Sequence, residues 1–376
     1  MASQTNLLIL FSFLVIANSL FLLPLPSSAT LISLCSPSAI YNLGDSISDT
    51  GNLIRETTSP AASMFAHLPY GISFFGNQPT GRCSNGLLMI DYLALSLRLP
   101  LLNPYLEKDS DFSHGVNFAV AGSTALNSSL LAENNINSPV TNSSLSIQLS
   151  WLKSHLNSTC YTDCEEQLKK SIFFVGEIGG NDYNYAFFQG KTMEDLQNSL
   201  VPHVIQSIKT TAMEVIKLGA TRVVIPGNFP IGCFPIYLTI FQINDTAAYD
   251  EFKCLKGLNN FAMFHNDQLQ QALQQLRDEY PNVDIVYADY YNAFKWVFDK
   301  APLLGLDMDS LQKACCGSGG QYNFDPRNVC GTPEVTVCSI PDTHISWDGI
   351  HLTEKAYRNM ANWLIRDLTP KLNCLF

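Results

Sequence analysis

Gly44-Asp45-Ser46 follows directly on the apolar run Ala39-Ile40-Tyr41-Asn42-Leu43, and Asp348-Gly349-Ile350-His351 stands near the far end of the chain. A serine at a strand end and an Asp-x-x-His turn supply a hydroxyl, a carboxylate and an imidazole, in the chain order Ser, Asp, His. The chemistry such a set performs is attack of a serine oxygen on a carbonyl carbon. His351 would take the proton from Ser46, while Asp348 would hold the imidazole in the right tautomer and stabilise its cation. Water activated by His351 would then release the acid from Ser46, so the expected reaction is ester hydrolysis and no cofactor is required.

Each residue has a rival. The window from Gly44 to Ser48 is not a Gly-x-Ser-x-Gly elbow, and an isolated Gly-Asp-Ser is more often a capped turn before a helix. Ser48 lies two residues on, where its side chain should face elsewhere. Asp45 and Asp49 read as residues that cap or brace the loop. Among seven histidines, His344 with Asp342 is the nearest alternative base, but two residues apart on extended chain they should point to opposite faces.

The elements that must position these residues are legible as alternation. Short apolar, β-rich runs at Ala39 to Leu43, Val116 to Val120, Ile172 to Val175, Arg222 to Ile225 and Val283 to Tyr287 recur between longer amphipathic segments. The clearest helices are expected over Leu196 to Leu218, Asn259 to Tyr280 and Thr353 to Leu368. The pattern predicts a doubly wound α/β domain of three layers, α/β/α, with a five-stranded, mainly parallel central sheet. Ligands of such sheets sit at the carboxyl ends of the strands. There the first run leads to Ser46, the second to Ala121-Gly122-Ser123, and the third to Gly176-Glu177-Ile178-Gly179-Gly180-Asn181-Asp182. The negative oxygen of a tetrahedral intermediate needs donors fixed in advance, and the Ser46 N–H, the Gly122 N–H and the Asn181 amide are the candidates for that oxyanion hole. Asp182 is expected to order the loop beneath Asn181. Tyr70, Phe74, Phe75, Tyr183, Tyr185, Phe187 and Phe188 follow these blocks and are candidates for either a substrate pocket or the core.

Composition narrows the partners. A net charge of -11 over 376 residues, without clustered Lys or Arg, argues against nucleic acid and leaves a small-molecule ester as the expected substrate. Leu7 to Leu23 is almost wholly apolar, Pro24 and Pro26 interrupt it, and Ser27-Ser28-Ala29 offers a small-x-small cleavage pattern. Residues 1 to 29 are read as a secretory signal, with a retained membrane anchor as the rival, and residues 30 to 376 as a single domain. After cleavage no stable membrane association is expected; the sequence sets no oligomeric state. All eleven cysteines follow the proposed cleavage site, which suits structural disulfides in an oxidising compartment. The odd count leaves a thiol over. Zinc is disfavoured, because Cys160-x-x-x-Cys164 and Cys315-Cys316 lack a second Cys-x-x-Cys or a nearby His-x-x-x-His. Sequons at Asn127, Asn142, Asn157 and Asn244 predict glycosylation.

Four blocks together resemble the plant GDSL branch of the SGNH hydrolase superfamily, from about residue 37 to the end. They are Gly44-Asp45-Ser46-Ile47-Ser48-Asp49-Thr50-Gly51-Asn52, Gly115-Val116-Asn117-Phe118-Ala119-Val120-Ala121-Gly122, Gly179-Gly180-Asn181-Asp182 and Trp347-Asp348-Gly349-Ile350-His351. The resemblance implies a flavodoxin-like fold, Ser46 as nucleophile, Gly122 and Asn181 as oxyanion donors, and Asp348 and His351 completing the triad. Ala121 departs from the second glycine of many plant members, and Ser123 from their common alanine. The stretches Pro79 to Gly86, Gly227 to Cys233 and Ala314 to Gly317 are similar to the branch that contains acetylajmalan esterase and sinapine esterase. That branch implies a secreted esterase of a specialised plant metabolite, such as an acetylated alkaloid or a phenolic ester, in the apoplast or vacuole. An acyltransferase with the same triad, a lipase for longer acyl chains, and a non-catalytic wall protein are the alternatives.

Overall fold

The computed structural model describes residues 36–56, 63–159 and 164–372; the expected signal segment, Cys35, Cys160 and Cys374 lie outside them, as does the Cys164 side chain. The five apolar runs form one sheet from β1 (Ala39–Leu43), β2 (Gly115–Asn117), β3 (Ser171–Val175), β4 (Arg222–Pro226) and β5 (Asp284–Ala288). Every residue of β1 and β3 is buried, as strands covered on both faces require. The order is β2-β1-β3-β4-β5 and all four pairings are parallel, so the sheet is wholly rather than mainly parallel. This is the flavodoxin-like doubly wound order, with its switch point beside β1. In register, Asn42 pairs with both Asn117 and Phe174, which brings the chain after β1, β2 and β3 to one edge.

Two groups of helices flank the sheet. Leu145–Thr159 and Lys256–Glu279 both pack on Val201–Lys217, while Met89–Ser96 and Tyr290–Asp299 pack on Glu354–Leu372. The expected helix over Leu196 to Leu218 is two, Met193–Ser199 and Val201–Lys217, with Pro202 in the first turn of the second. Proline has no N–H to donate and clashes within a helix, but is tolerated at its start. The second strand stops at Asn117 rather than Val120 because the Gly44 N–H, the next donor of the β1 ladder, goes to Gln148 Oε1 at 2.9 Å, although Phe118 and Val120 still donate to the carbonyls of Asn42 and Gly44.

Disulfides staple the chain after β4. Between β4 and β5 one joins Cys233 to Cys254, and beyond β5 two join Cys315 to Cys338 and Cys316 to Cys330, where a short antiparallel ladder pairs Cys316–Gly317 with Thr336–Val337. Cys83 is a buried free thiol. His344 lies beside the sulfurs of Cys315 and Cys338, but their bond removes the thiolates that a metal would need. The asparagines of all four sequons are exposed. No helix among the described residues is long and apolar enough to cross a membrane.

Candidate active site

The loop after β1 is organised by its own carboxylates. Asp45 accepts the Ile47 N–H at 2.9 Å, and Asp49 accepts those of Gly51, Asn52 and Leu53 and, across the sheet edge, Ala121 at 2.8 Å. Asp49 is fully buried, so these N–H groups stand in for water around it. Ser48 points inward, accepting from the Asn42 amide at 3.0 Å, which leaves Ser46 as the serine that lines a cavity. The buried Gln148 ties this loop to the next: it accepts the Gly44 N–H at 2.9 Å and donates to the Gly44 carbonyl at 2.8 Å and to Ser123 Oγ at 3.1 Å. Nothing but an inward-facing place on an amphipathic helix marks Gln148 in the sequence.

The three candidate donors come together at this edge. Among the described residues neither the Ser46 nor the Gly122 N–H has a hydrogen-bond partner. Gly122 has φ 82°, and a Cβ there would lie 2.4 Å from Val140 Cγ1, so both conformation and space demand glycine. Tyr185 Oη donates to its carbonyl at 2.8 Å. The Asn181 amide donates to Ser123 O at 3.0 Å and, more loosely, to Asp45 Oδ2 at 3.3 Å. The looser contact is the one an oxyanion could replace. Beneath it Asp182 accepts the N–H groups of Ala125 at 2.8 Å and Leu126 at 3.0 Å, tying the second loop to the third. Burial pushes Asp182 up to about 7, against the pull of these N–H groups. Burial likewise raises Asp45 to about 7 and lifts Glu177 well above the usual carboxylate range.

At the other end of the chain, Asp348 and His351 are joined Oδ2 to Nδ1 at 2.7 Å. Asp348 Oδ1 accepts the backbone N–H of His351 at 2.7 Å and of Ile350 at 2.9 Å, so one carboxylate shapes the turn and orients the ring. Burial pushes the Asp348 carboxyl up, but the His351 imidazole and these N–H groups outweigh it and hold it below the ordinary value. Tyr70 Oη donates to the same Oδ2 at 2.9 Å. Tyr70 is by sequence a candidate for pocket or core, and its bond to Asp348 spans a separation no local pattern encodes. Phe65 meets the His351 ring edge to face, with centroids 5.8 Å apart. His344 instead pairs its Nδ1 with Thr343 Oγ1 at 3.0 Å.

Two cavities meet at Ile350. One, of about 60 Å³, is bordered by Ser46, Asp45, Glu177, Asn181, Phe188 and Tyr237; the other, of about 380 Å³, is bordered by His351, Tyr70, Val140 and Phe324. Ser46 Oγ and His351 Nε2 are not hydrogen-bonded among the described residues, although His351 is near enough to Asp45 to act on its charge. Bonds between a catalytic base and its nucleophile are often loose without substrate. Of the other aromatics singled out, Tyr183 and Phe187 belong to the core, whereas Phe74 and Phe75 pack on each other and border neither cavity.

A parallel doubly wound sheet with a serine after its first strand and an Asp-x-x-His turn at its last helix defines a class, and the comparisons agree with it. The family described as GDSL-like Lipase/Acylhydrolase matches residues 40–364. The chain belongs to this family and is a carboxylic-ester hydrolase. It is 45% identical to acetylajmalan esterase 1 of Rauvolfia serpentina, over 91% of this chain and 89% of that protein. A GDSL esterase/lipase of Arabidopsis thaliana is 47% identical, with 90% of this chain and 92% of the relative covered.

Proposed function

We propose that this chain is a secreted serine esterase that cleaves a carboxylic ester of a specialised plant metabolite through an acyl-enzyme on Ser46. The observation that carries the reading is the Asp348–His351 pair at 2.7 Å, with His351 near enough to Asp45 in the Ser46 loop to act on its charge, beside Ser46 and Gly122 N–H groups that have no partner among the described residues. Ser46 Oγ attacks the ester carbonyl carbon while His351 Nε2 takes its proton. The carbonyl oxygen becomes an oxyanion, held by the N–H groups of Ser46 and Gly122 and by the Asn181 amide. As the bond to the alcohol oxygen breaks, His351 returns the proton to that oxygen and the alcohol departs. Water then loses a proton to His351 and attacks the acyl carbon, and the proton passes back to Ser46 as the acid leaves.

The relative named acetylajmalan esterase supports an acetylated alkaloid as one substrate of this kind. The three disulfides among the described residues fit a chain that passes through the secretory pathway to an extracellular or vacuolar site. Labelling with a fluorophosphonate and mapping of the modified peptide tests the chemistry: the label is expected on Ser46, and hydrolysis of p-nitrophenyl acetate is expected to vanish in a folded Ser46→Ala variant. A label on another residue, or undiminished turnover, would overturn it. A secreted product beginning after Ala29 tests the route.

A further inference from the structure

The two cavities at Ile350 differ in size and in which reacting residue each carries. Ser46 borders the small one and His351 the large one. The mechanism then divides the ester between them. The departing alcohol oxygen must receive its proton from His351, so the alcohol lies on the His351 side. The acyl carbon stays bonded to Ser46 Oγ, and its substituent is left the space on the opposite side of the serine. We propose that the cavity beside Ser46 is an acyl subsite limited to groups of acetyl or propionyl size, with Phe188 and Tyr237 setting the limit, and that the His351 groove takes a bulky apolar alcohol. This assignment rests on Ser46 being the nucleophile.

Volume and polarity both support the limit. A cavity of about 150 Å³ holds a benzene ring. One of about 60 Å³ has room for only a few heavy atoms, so a benzoyl or cinnamoyl acyl group would project beyond it. Phe234, Ile236 and Tyr237 close it, and Tyr237 is fastened by donating its hydroxyl to Asn184 Oδ1. Its border also carries Asp45, Glu177 and Asn228, and the buried Asn228 Oδ1 has no hydrogen-bond partner among the described residues. A longer hydrocarbon tail would cover these groups without pairing them, which is unfavourable. The groove beside His351 has more than six times the volume, about 380 against about 60 Å³, and apolar walls in Leu53, Phe65, Val140 and Phe324. The reading therefore favours an acetyl ester of a large alcohol over a phenolic acid ester of a small one.

The test keeps the alcohol constant and varies the acyl group, with p-nitrophenyl acetate, butyrate, hexanoate and benzoate. For the wild type, kcat/KM is expected to fall at least tenfold from acetate to hexanoate, the scale on which a pocket separates substrates by methylenes. Phe188→Ala, at a site 41% exposed and so tolerant of truncation, is expected to raise the hexanoate-to-acetate ratio several-fold, and Tyr237→Ala to raise it further. Phe324→Ala is expected to leave that ratio unchanged while altering the preference between ethyl and naphthyl acetate. Equal cleavage of acetate and hexanoate by the wild type would overturn the size limit. An acyl-length ratio that responds to Phe324→Ala and not to Phe188→Ala would reverse the assignment of the cavities. Ser46→Ala, assayed in parallel, separates the two levels: if it stays active the nucleophile is wrong, and if it is inactive while the ratios disagree only the subsites are wrong.

Discussion

The two halves of the site are held by different means. The loops that carry Ser46, Gly122 and Asn181 grow directly out of three adjacent strands and are cross-braced by buried polar side chains, Asp49, Asn52, Gln148 and Asp182. The turn that carries Asp348 and His351 is outside the sheet and leans on a disulfide-stapled segment. Cys315 and Cys316 donate their N–H groups to the carbonyls of Ser346 at 3.0 Å and Trp347 at 2.6 Å, and the Trp347 N–H bonds His351 O at 2.7 Å. Strand ends suit groups that must stay fixed while charge develops. A turn sealed by disulfides gives the Asp348–His351 pair its place without a strand, provided the chain folds where disulfides form.

The comparison can be broken or sharpened in four ways. The largest effect is expected from Asn181→Ala, which should lower kcat by about 10²- to 10³-fold, the scale for one oxyanion donor. A loss below about threefold would mean that the hole is made elsewhere. Removing the staple by Cys316→Ser with Cys330→Ser opens a loop of 14 residues and should cost about 3 kcal/mol of stability. In that variant, hydrogen exchange should quicken at residues 346–352 and stay unchanged at 44–52. Equal loosening of both would show that the two halves are not held independently.

Tyr70→Phe removes one donor to Asp348 and leaves the ring. A hydrogen bond to a charged group is worth about 1.5–3 kcal/mol, so a fall in kcat of about tenfold is expected with little change in KM. An unchanged rate would reduce Tyr70 to a wall of the groove. The smallest effect concerns the bracing itself. Asp182 titrates near 7 in the folded protein, raised by burial, and near 4 when unfolded. The folded state therefore keeps a proton that the unfolded chain has lost. The stability from this group is full below about pH 4 and is lost as pH rises through about 7. Asp182→Asn cannot ionise, so its melting temperature should depend less on pH across that window than the wild type's. Parallel melting curves for the two proteins would refute the brace as the source of the slope.

Much of the site was legible because it is built from local signals at strand ends. Apolar runs of strand length located β1, β3, β4 and β5 within a residue or so, and the blocks after the first three carried Ser46, Gly122 and Asn181. The Asp-x-x-His spacing already implied a shared turn. Two readings failed for reasons visible only in three dimensions: the second strand ends early because Gln148 claims the Gly44 N–H that would continue its ladder, and the long amphipathic stretch breaks where Pro202 starts a new helix.

By itself, then, the sequence determined the fold class, the residue types at the strand ends and the pairing of Asp348 with His351, because periodicity and short spacing act through neighbours along the chain. The tertiary structure decided the rest. Strand order set β1 between β2 and β3, and so gathered three distant loops at one edge. It brought Tyr70 to Asp348 and Gln148 to Gly44, and it chose the disulfide partners. It also shaped a small cavity at Ser46 and a large one at His351, a difference that depends on how aromatic side chains from separate segments pack and that no single stretch of sequence contains.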